Sequence, residues 1–249
     1  MGVGSGATLL VHSSMDDLAR RVPALGALDL IRALQEMVAP GGTLLMPTFP
    51  FLGRQAHYAD SHRSFDPRRT PSMSGLLTEI FRRLPGVTRS LHPTHAVAGS
   101  GHRAEELLSS HHLGTAFGPH SPFYKLQECG GKVVGLGLGL RRGFTILHVA
   151  EEMHPRIRSV MFEPEPRPMR IVQDGETLVY ELYPLRADLT RDLWTLERDY
   201  LADGTLRYTV RGGLLLAVAD ARTFVQRTLQ ALDAGTYLSV PSRPPGGRS

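Results

Sequence analysis

Apolar positions gather into short continuous runs near the start of the chain and into helical or alternating periods further on. Ala7 to Val11 is an apolar run that ends in His12-Ser13-Ser14, and Thr43 to Met46 predicts a second strand. Between them the apolar residues of Leu25 to Val38 recur with helical spacing, and Pro40-Gly41-Gly42 stops the helix. Strand, helix and strand within about forty residues make a βαβ unit, whose crossover implies a parallel sheet. Ligands of open parallel sheets bind beyond the carboxyl ends of the strands, where His12-Ser13-Ser14 and Pro47-Thr48 fall. Two serines after a strand also suit a helix N-cap.

Gly131 to Pro155 predicts a further buried strand (Val133, Val134, Leu136, Leu138), a glycine-rich turn and a short helix that must end before Pro155. On that helix Thr145, His148 and Glu151 stand three residues apart and Glu152 four from His148, so hydroxyl, imidazole and carboxylate share a face. An imidazole beside its own orienting acid is the minimum equipment for general base catalysis. Taken alone, the same spacing fits a surface helix with a solvated pair of glutamates.

The aperiodic stretch Pro50 to Pro71 carries His57, Asp60, His62 and Asp66 and suits a lid over a substrate. Ser72 is placed to cap a helix over Gly75 to Leu84. A short strand (Ala96 to Ala98), a helix (Arg103 to Ser110) and the proline-pinned loop Phe117 to Phe123 follow. After Pro155 comes a hairpin, Met169 to Gln173 and Glu176 to Tyr183, turning at Asp174-Gly175. A helix from Asp188 to Leu201, strands Leu206 to Val210 and Leu214 to Val218, and a helix from Asp220 to Leu232 complete the pattern. With no internal repeat and no sharp boundary, residues 1–240 read as one α/β domain, and the tail 241–249 as disordered.

Composition narrows the classes. Of 249 residues 41% are hydrophobic and 21% charged, enough apolar material for a large core. No apolar run reaches membrane-spanning length and the N-terminus has no basic leader segment, so a soluble cytoplasmic protein is expected. The single cysteine, Cys129, excludes internal disulfides and multi-cysteine metal sites. Apart from Lys125 and Lys132 every basic residue is arginine, whose forked guanidinium suits anionic ligands. These residues are scattered without aromatic interleaving, which speaks against a nucleic-acid surface. His92 and His95 have a zinc-like spacing, but Pro93 disfavours helix between them and no third ligand is near in sequence, so no metal is expected. Arg142 stands where a dinucleotide fingerprint needs its last glycine, and no G-x-S-x-G is present, which removes the Rossmann and α/β-hydrolase readings.

Several motifs occur in a telling order: Val11-His12-Ser13-Ser14, Gly42-Thr43-Leu44-Leu45-Met46-Pro47-Thr48-Phe49, Phe65-Asp66-Pro67 and Phe81-Arg82-Arg83-Leu84-Pro85-Gly86-Val87. Arg89-Ser90-Leu91-His92-Pro93-Thr94-His95, Phe117-Gly118-Pro119-His120-Ser121-Pro122-Phe123, Gly131-Lys132-Val133-Val134 and Thr145-Ile146-Leu147-His148-Val149-Ala150-Glu151-Glu152 continue the series. Together they resemble the aminoglycoside 3-N-acetyltransferases, the antibiotic N-acetyltransferase family, closely over the first two thirds of the chain and loosely beyond. The resemblance implies α/β/α layers around a largely parallel central sheet, with an additional C-terminal hairpin and helices. It also implies transfer of an acetyl group from acetyl-CoA to a small-molecule amine, with roles in antibiotic resistance or natural-product biosynthesis; the alternatives are a biosynthetic amide-forming acyltransferase with another amine or acyl donor, and a family member that binds ligand without turnover.

By that resemblance His148 is the catalytic base, Glu151 its orienting acid, and Thr145 a neighbour of the reacting carbonyl. Ser13, Ser14, Arg89, Ser90, His92 and Thr94, with Phe117, Gly118 and Ser121, correspond to the coenzyme A surface. Asp60, Asp66 and Glu152 are the carboxylates for the acceptor, with Asp16 and Asp17 as further candidates. The expected chemistry is direct transfer, with Cys129 structural; a homodimer is left open. The sequence departs from the family in Met15-Asp16-Asp17 after the serines, in Phe144 and Ile146 around Thr145, and in the lack of a tryptophan beside Ser72. Only GVGSG stands before the first strand, where family members usually carry a helix. These differences, with the arginine-rich lid, favour an acceptor less cationic than an aminoglycoside.

Overall fold

Short strands that are apolar on both faces persist only when both faces are covered, and the chain covers its central strands from two sides. In the computed structural model, which describes residues 2–239, strand β1 (Thr8–Ser13) leads through helices α1 (Met15–Arg21) and α2 (Ala27–Val38) to β2 (Thr43–Pro47). The chain continues as α3 (Gln55–Ser61), β3 (Ser64–Phe65), α4 (Leu76–Phe81), β4 (Thr88–Arg89), β5 (Val97–Gly101), α5 (Ala104–Leu108) and α6 (Pro122–Glu128). Strand β6 (Lys132–Leu136) is followed by α7 (Leu140–Gly143), α8 (Leu147–Met153) and α9 (Pro155–Arg158). The hairpin β7 (Arg167–Gln173) and β8 (Glu176–Leu182) comes next, then β9 (Thr190–Arg191), α10 (Leu193–Ala202), β10 (Leu206–Arg211), β11 (Leu214–Asp220), α11 (Ala221–Asp233) and β12 (Leu238–Ser239).

Seven strands form the main sheet in the order β10-β11-β6-β1-β2-β5-β4. Its heart, β6-β1-β2, is parallel, as the βαβ pattern required. Antiparallel strands extend it, β11 beside β6 and β5 beside β2. Alternation along the strands builds two cores. Leu9, Val11, Leu44, Met46 and Val134 pack under α1, α2 and α4, through Leu18, Ile31 and Phe81. Leu10, Leu45, Val133, Ala217 and Ala219 point to the other face, against Phe123, Val149, Phe224 and Val225 of α6, α8 and α11. That division is the α/β/α layering. A three-stranded sheet, β3-β7-β8, stands apart and carries the hairpin, whose Asp174 and Gly175 both take the positive φ of an Asp-Gly turn.

Several elements differ from the sequence reading. The aperiodic stretch after Pro50 contains α3 and β3, because Tyr58 and Ala59 bury against Met169 and Leu182 of the distant hairpin. The helix expected from Asp188 begins only at Leu193: the Asp192 carboxylate caps it at the Thr195 amide, 3.0 Å away, while Thr190–Arg191 pair with Leu238–Ser239. Gly75, not Ser72, occupies the N-cap of α4; the Ser72 hydroxyl instead meets that of Thr78 at 2.7 Å. The tail 241–249 lies outside the described residues.

Phe224 locks α11 to the sheet layer beside it, fully buried with ring centroids 5.9 Å from Phe144 and 5.1 Å from Tyr200. Phe224→Ala is expected to lower unfolding stability by about 3–5 kcal/mol, read from denaturant midpoints; a loss under about 1 kcal/mol would show that this helix is not locked to the core.

Candidate active site

Strand β6 ends in a turn that only glycine can make. Gly137 has φ +74°, and a Cβ on Gly139 would lie 2.1 Å from the Tyr208 hydroxyl. That hydroxyl accepts the Leu140 amide proton at 2.9 Å and donates to Glu197, which also holds Arg141 at 2.7 Å. The glycine series therefore lets the chain pack closely on β10 and α10 before entering α8. Helix α8 stops where proline forbids it to continue, and Pro155 opens α9 under a His154 cap. Thr145 lies just before α8, with His148 in its first turn and Glu151 one turn on.

Glu151 is fully buried. Its Oε2 is 2.8 Å from His148 Nδ1, and Arg191 grips the carboxylate in a fork, Nε to Oε1 at 2.7 Å and Nη2 to Oε2 at 2.8 Å. The Tyr237 hydroxyl donates to Oε1. Burial raises the pKa of Glu151, but the His148 imidazole and the Arg191 guanidinium outweigh it and bring it down to about 2. Burial, then the neighbouring carboxylate, pushes Tyr237 well above an ordinary phenol, so it keeps its proton and remains a donor. An ionised carboxylate only accepts, so His148 Nδ1 carries the proton of this contact, and Nε2 is the nitrogen that has a lone pair in the neutral ring. Phe117, at a ring-centroid distance of 4.9 Å, flanks the imidazole.

Two clefts meet beside this pair. The larger, about 590 Å³, is lined by His148 and Thr145, by Phe49, Phe51, His95, Gln55 and Asp60, and by Glu163, Arg167 and Arg186 from beyond α9. A narrower one, about 190 Å³, runs over the carboxyl ends of β1, β2 and β6 past His12, Ser13, Pro47, Leu138 and Arg142. Thr145 and Phe49 line both. Thr145 Oγ1 lies 3.4 Å from His12 Nε2; burial brings the pKa of His12 down to about 3, so its ring stays neutral. His95 lines the larger cleft with Nδ1 turned inward to Thr94 Oγ1 at 3.1 Å.

A sequence profile described as aminoglycoside 3-N-acetyltransferase matches residues 10–233. The chain belongs to the aminoglycoside 3-N-acetyltransferase family. It is 36% identical over 211 residues to aminoglycoside N(3)-acetyltransferase IV of Salmonella sp, covering 83% of this chain and 71% of that protein. It is 33% identical to aminoglycoside N(3)-acetyltransferase VII of Streptomyces paromomycinus, over 71% of this chain and 64% of the relative. Among solved structures, the apoenzyme of AAC(3)-IVa superposes with TM-score 0.73 at 31% identity, covering 94% of this chain and 84% of that one. The AAC-IIIb binary complex with CoASH gives TM-score 0.75 at 25% identity, covering 97% and 94%. Membership makes the chain an acyl-CoA-dependent N-acyltransferase with acetyl-CoA as co-substrate.

Within this aminoglycoside 3-N-acetyltransferase fold, the residues that the sequence assigned to coenzyme A fall in two groups. Ser13 lines the narrow cleft and Phe117 flanks His148. The others are committed to internal partners. Ser14 caps α1 and donates to Asp17 at 2.7 Å. Arg89 spends its donors on Thr48 and on the carbonyls of Pro67 and Thr70, with its guanidinium over Phe65; burial draws its pKa down to about 9. Ser90 accepts a hydrogen bond from the Val97 amide and meets His111, His92 Nδ1 accepts from the amides of Thr94 and His95, and Thr94 Oγ1 accepts from Gln55 Nε2. Ser121 caps α6. A Cβ on Gly118 would lie 2.9 Å from Glu152 Oε1.

Of the three carboxylates expected to hold the acceptor, Asp60 lines the large cleft. Asp66 instead folds its own turn, accepting the amides of Arg68 and Arg69. Glu152 is buried against Thr115, and burial raises its pKa. Asp17, a further candidate, is paired with Arg20 and Arg142 at 2.7 and 2.9 Å. Arg191 and Tyr237 have no local signal in sequence, since they reach Glu151 from 40 and 86 residues away. Glu163, Arg167 and Arg186 were likewise hidden in segments with no motif.

The depressed pKa of Glu151 fixes a pH window. A carboxylate shifted down stabilises the fold above its unfolded pKa, about 4.3, and that contribution is lost as pH falls toward its folded value. Glu151→Gln should therefore cost about 3 kcal/mol at pH 7, and the gap between the two proteins should close as pH falls from about 4.5 toward 2. Denaturant titrations at neutral and acid pH measure it, and a gap independent of pH would disprove an ionised Glu151.

Proposed function

We propose that the protein transfers an acetyl group directly from acetyl-CoA to a primary amine of a small natural product, using His148 as general base. What carries this reading is a single arrangement: an imidazole whose Nδ1 is held by the buried Glu151, on a side chain that lines the larger cleft next to Thr145, the residue shared with the narrow one. The thioester arm lies in the narrow cleft over the strand ends and the acceptor in the larger one. Several relatives were solved with aminoglycosides, among them a mutant of AAC(3)-IVa in complex with a gentamicin and AAC-VIa bound to sisomicin; the acceptor here is an amine of that kind or of another natural product. Residues 1–240 act as one domain in this reading, because Arg191 and Tyr237 from the last quarter of the chain complete the base.

The amine must lose a proton to attack. His148 Nε2 takes it as nitrogen bonds to the thioester carbonyl carbon, Glu151 favours the imidazolium so formed, and Thr145 Oγ1 donates to the oxyanion. Collapse breaks the carbon–sulfur bond, and His148 returns the proton to the departing thiolate. The products are the acetamide and free coenzyme A, and no oxidant, metal or covalent intermediate enters the balance. Cys129 closes α6, with Sγ 3.3 Å from the Leu126 carbonyl, and lines neither cleft.

His148→Ala should lower kcat by about 10²- to 10⁴-fold while leaving coenzyme A binding, read by calorimetry, nearly unchanged; retention of more than about a tenth of the activity would remove His148 from the role of base. Cys129→Ser should keep most activity with sequential kinetics. Ping-pong kinetics with an acetylated Cys129 in the mass spectrum would replace direct transfer by a covalent route.

A further inference from the structure

A hydroxyl carries one proton, so Thr145 can serve an oxyanion only if that proton points toward it. The backbone of Thr145 is held on both sides: its amide donates to the Gly143 carbonyl at 2.9 Å, and its carbonyl accepts from the His148 amide at 3.1 Å. What remains free is rotation of the side chain and of its hydroxyl. Among the described residues one group bonds Thr145 Oγ1, and that is His12 Nε2 at 3.4 Å.

His12 is itself fixed. It pairs with Gly135 in the parallel ladder of β1 and β6, and its buried ring stacks on Phe144 with centroids 6.1 Å apart and planes 18° from parallel. Both His12 and Thr145 line the narrow cleft over the strand ends. Burial keeps the imidazole neutral, so it has one N–H to place, and the contact with Thr145 is the one hydrogen bond its ring makes among the described residues.

The contact can be made in two ways. With the ring proton on Nδ1, Nε2 accepts the Thr145 proton and the hydroxyl has none left for a substrate. With the ring proton on Nε2, the imidazole donates to a lone pair of Oγ1, and the hydroxyl proton turns away from His12. That donation also polarises the hydroxyl, because hydrogen bonds in a chain strengthen one another. Negative charge growing on the thioester carbonyl oxygen selects the second arrangement, since that is the one which offers the charge a donor.

We infer that His12 is a positioning residue for acetyl transfer: its Nε2–H holds the Thr145 hydroxyl so that the hydroxyl proton meets the developing oxyanion. His12 exchanges no proton with the substrate and acts through Thr145. The inference rests on the role given to Thr145 in the acetyl-transfer reading above. A histidine buried for packing alone would be indifferent to the side chain at position 145, and that difference can be measured.

The test is a double-mutant cycle on the full chain, with thiol release from acetyl-CoA and a panel of aminoglycosides and simple primary amines as acceptors. Thr145→Ala should lower kcat by about 10²- to 10³-fold. His12→Phe, which keeps the bulk and the stack on Phe144, should lower kcat by about five- to tenfold with KM for both substrates unchanged. In the Thr145→Ala background the same change should cost nothing, because the group it positions is gone. His12→Gln, whose amide nitrogen stands near the place of Nε2, should recover most of the rate. His12→Asn, too short to reach Thr145, repeats the comparison with a polar side chain, and each variant is checked for a wild-type melting temperature. A His12 effect of equal size with and without Thr145 overturns the inference, as do full activity in both His12→Phe and His12→Asn and a loss in His12→Gln as deep as theirs; acetyl transfer then stands. Full activity in Thr145→Ala removes Thr145 from the oxyanion and the inference with it. No thiol release with any amine overturns acetyl transfer itself, and the inference falls too.

Discussion

A charge at the centre of this protein cannot be left alone. Glu151 sits where water does not reach, and desolvation by itself would protonate it and turn an acceptor into a donor. The His148 imidazole and the Arg191 fork keep it ionised, and an ionised carboxylate, which can only accept, holds a proton on His148 Nδ1. The helix that carries His148 comes from the middle of the chain, whereas its supports come from β9 and from the residues after α11. Correct folding of the C-terminal part is thus a condition for the His148–Glu151 contact to be held.

The layers place this group where a substrate can reach it. Parallel packing of β6-β1-β2 brings three strand ends to one edge of the sheet, and the loops that leave them make the narrow cleft. The antiparallel strand β11 covers the outer edge of β6, while β10 supplies Tyr208, which braces the glycine turn ahead of α8. The second cleft has a different origin: α3, the Glu163 to Arg167 segment and the loop around Arg186 roof it. Phe49, Phe51 and His95 form its aromatic floor in edge-to-face or stacked contact.

What could be read in the sequence was what is local. The H-x-x-E spacing is set by one helical turn, and the βαβ unit by a hydrophobic run on either side of an amphipathic helix; both stand in the structure at nearly the stated positions. The hairpin at Asp174-Gly175 needed only two residues to declare itself. Long-range partners left no such trace. Arg191 looked like part of a helix begun at Asp188, since nothing near it says that it must pair with Glu151, and Tyr237 lies in a segment without periodicity. Arg89 and Ser90 carried the residue types of an anion site, yet the structure spends their donors and acceptors on Thr48, Thr70 and Val97. A residue type reports what a side chain can bind, and only tertiary packing decides whether those valences are still available.

The buried ion pair around Glu151 and the wall of the larger cleft are thus built from separate parts of the molecule. Because His148 and Arg191 bond Oε2 while Arg191 and Tyr237 bond Oε1, Glu151 has no acceptor capacity left to offer a further ammonium group. Asp60, Glu163, Arg167 and Arg54 line the larger cleft from elements that lie outside the two main cores. Substitutions there leave the buried ion pair in place, since among the described residues the two sets share no hydrogen bond. The same independence explains how the chain keeps the Thr145, His148 and Glu151 arrangement while the wall of the larger cleft carries more arginines than carboxylates.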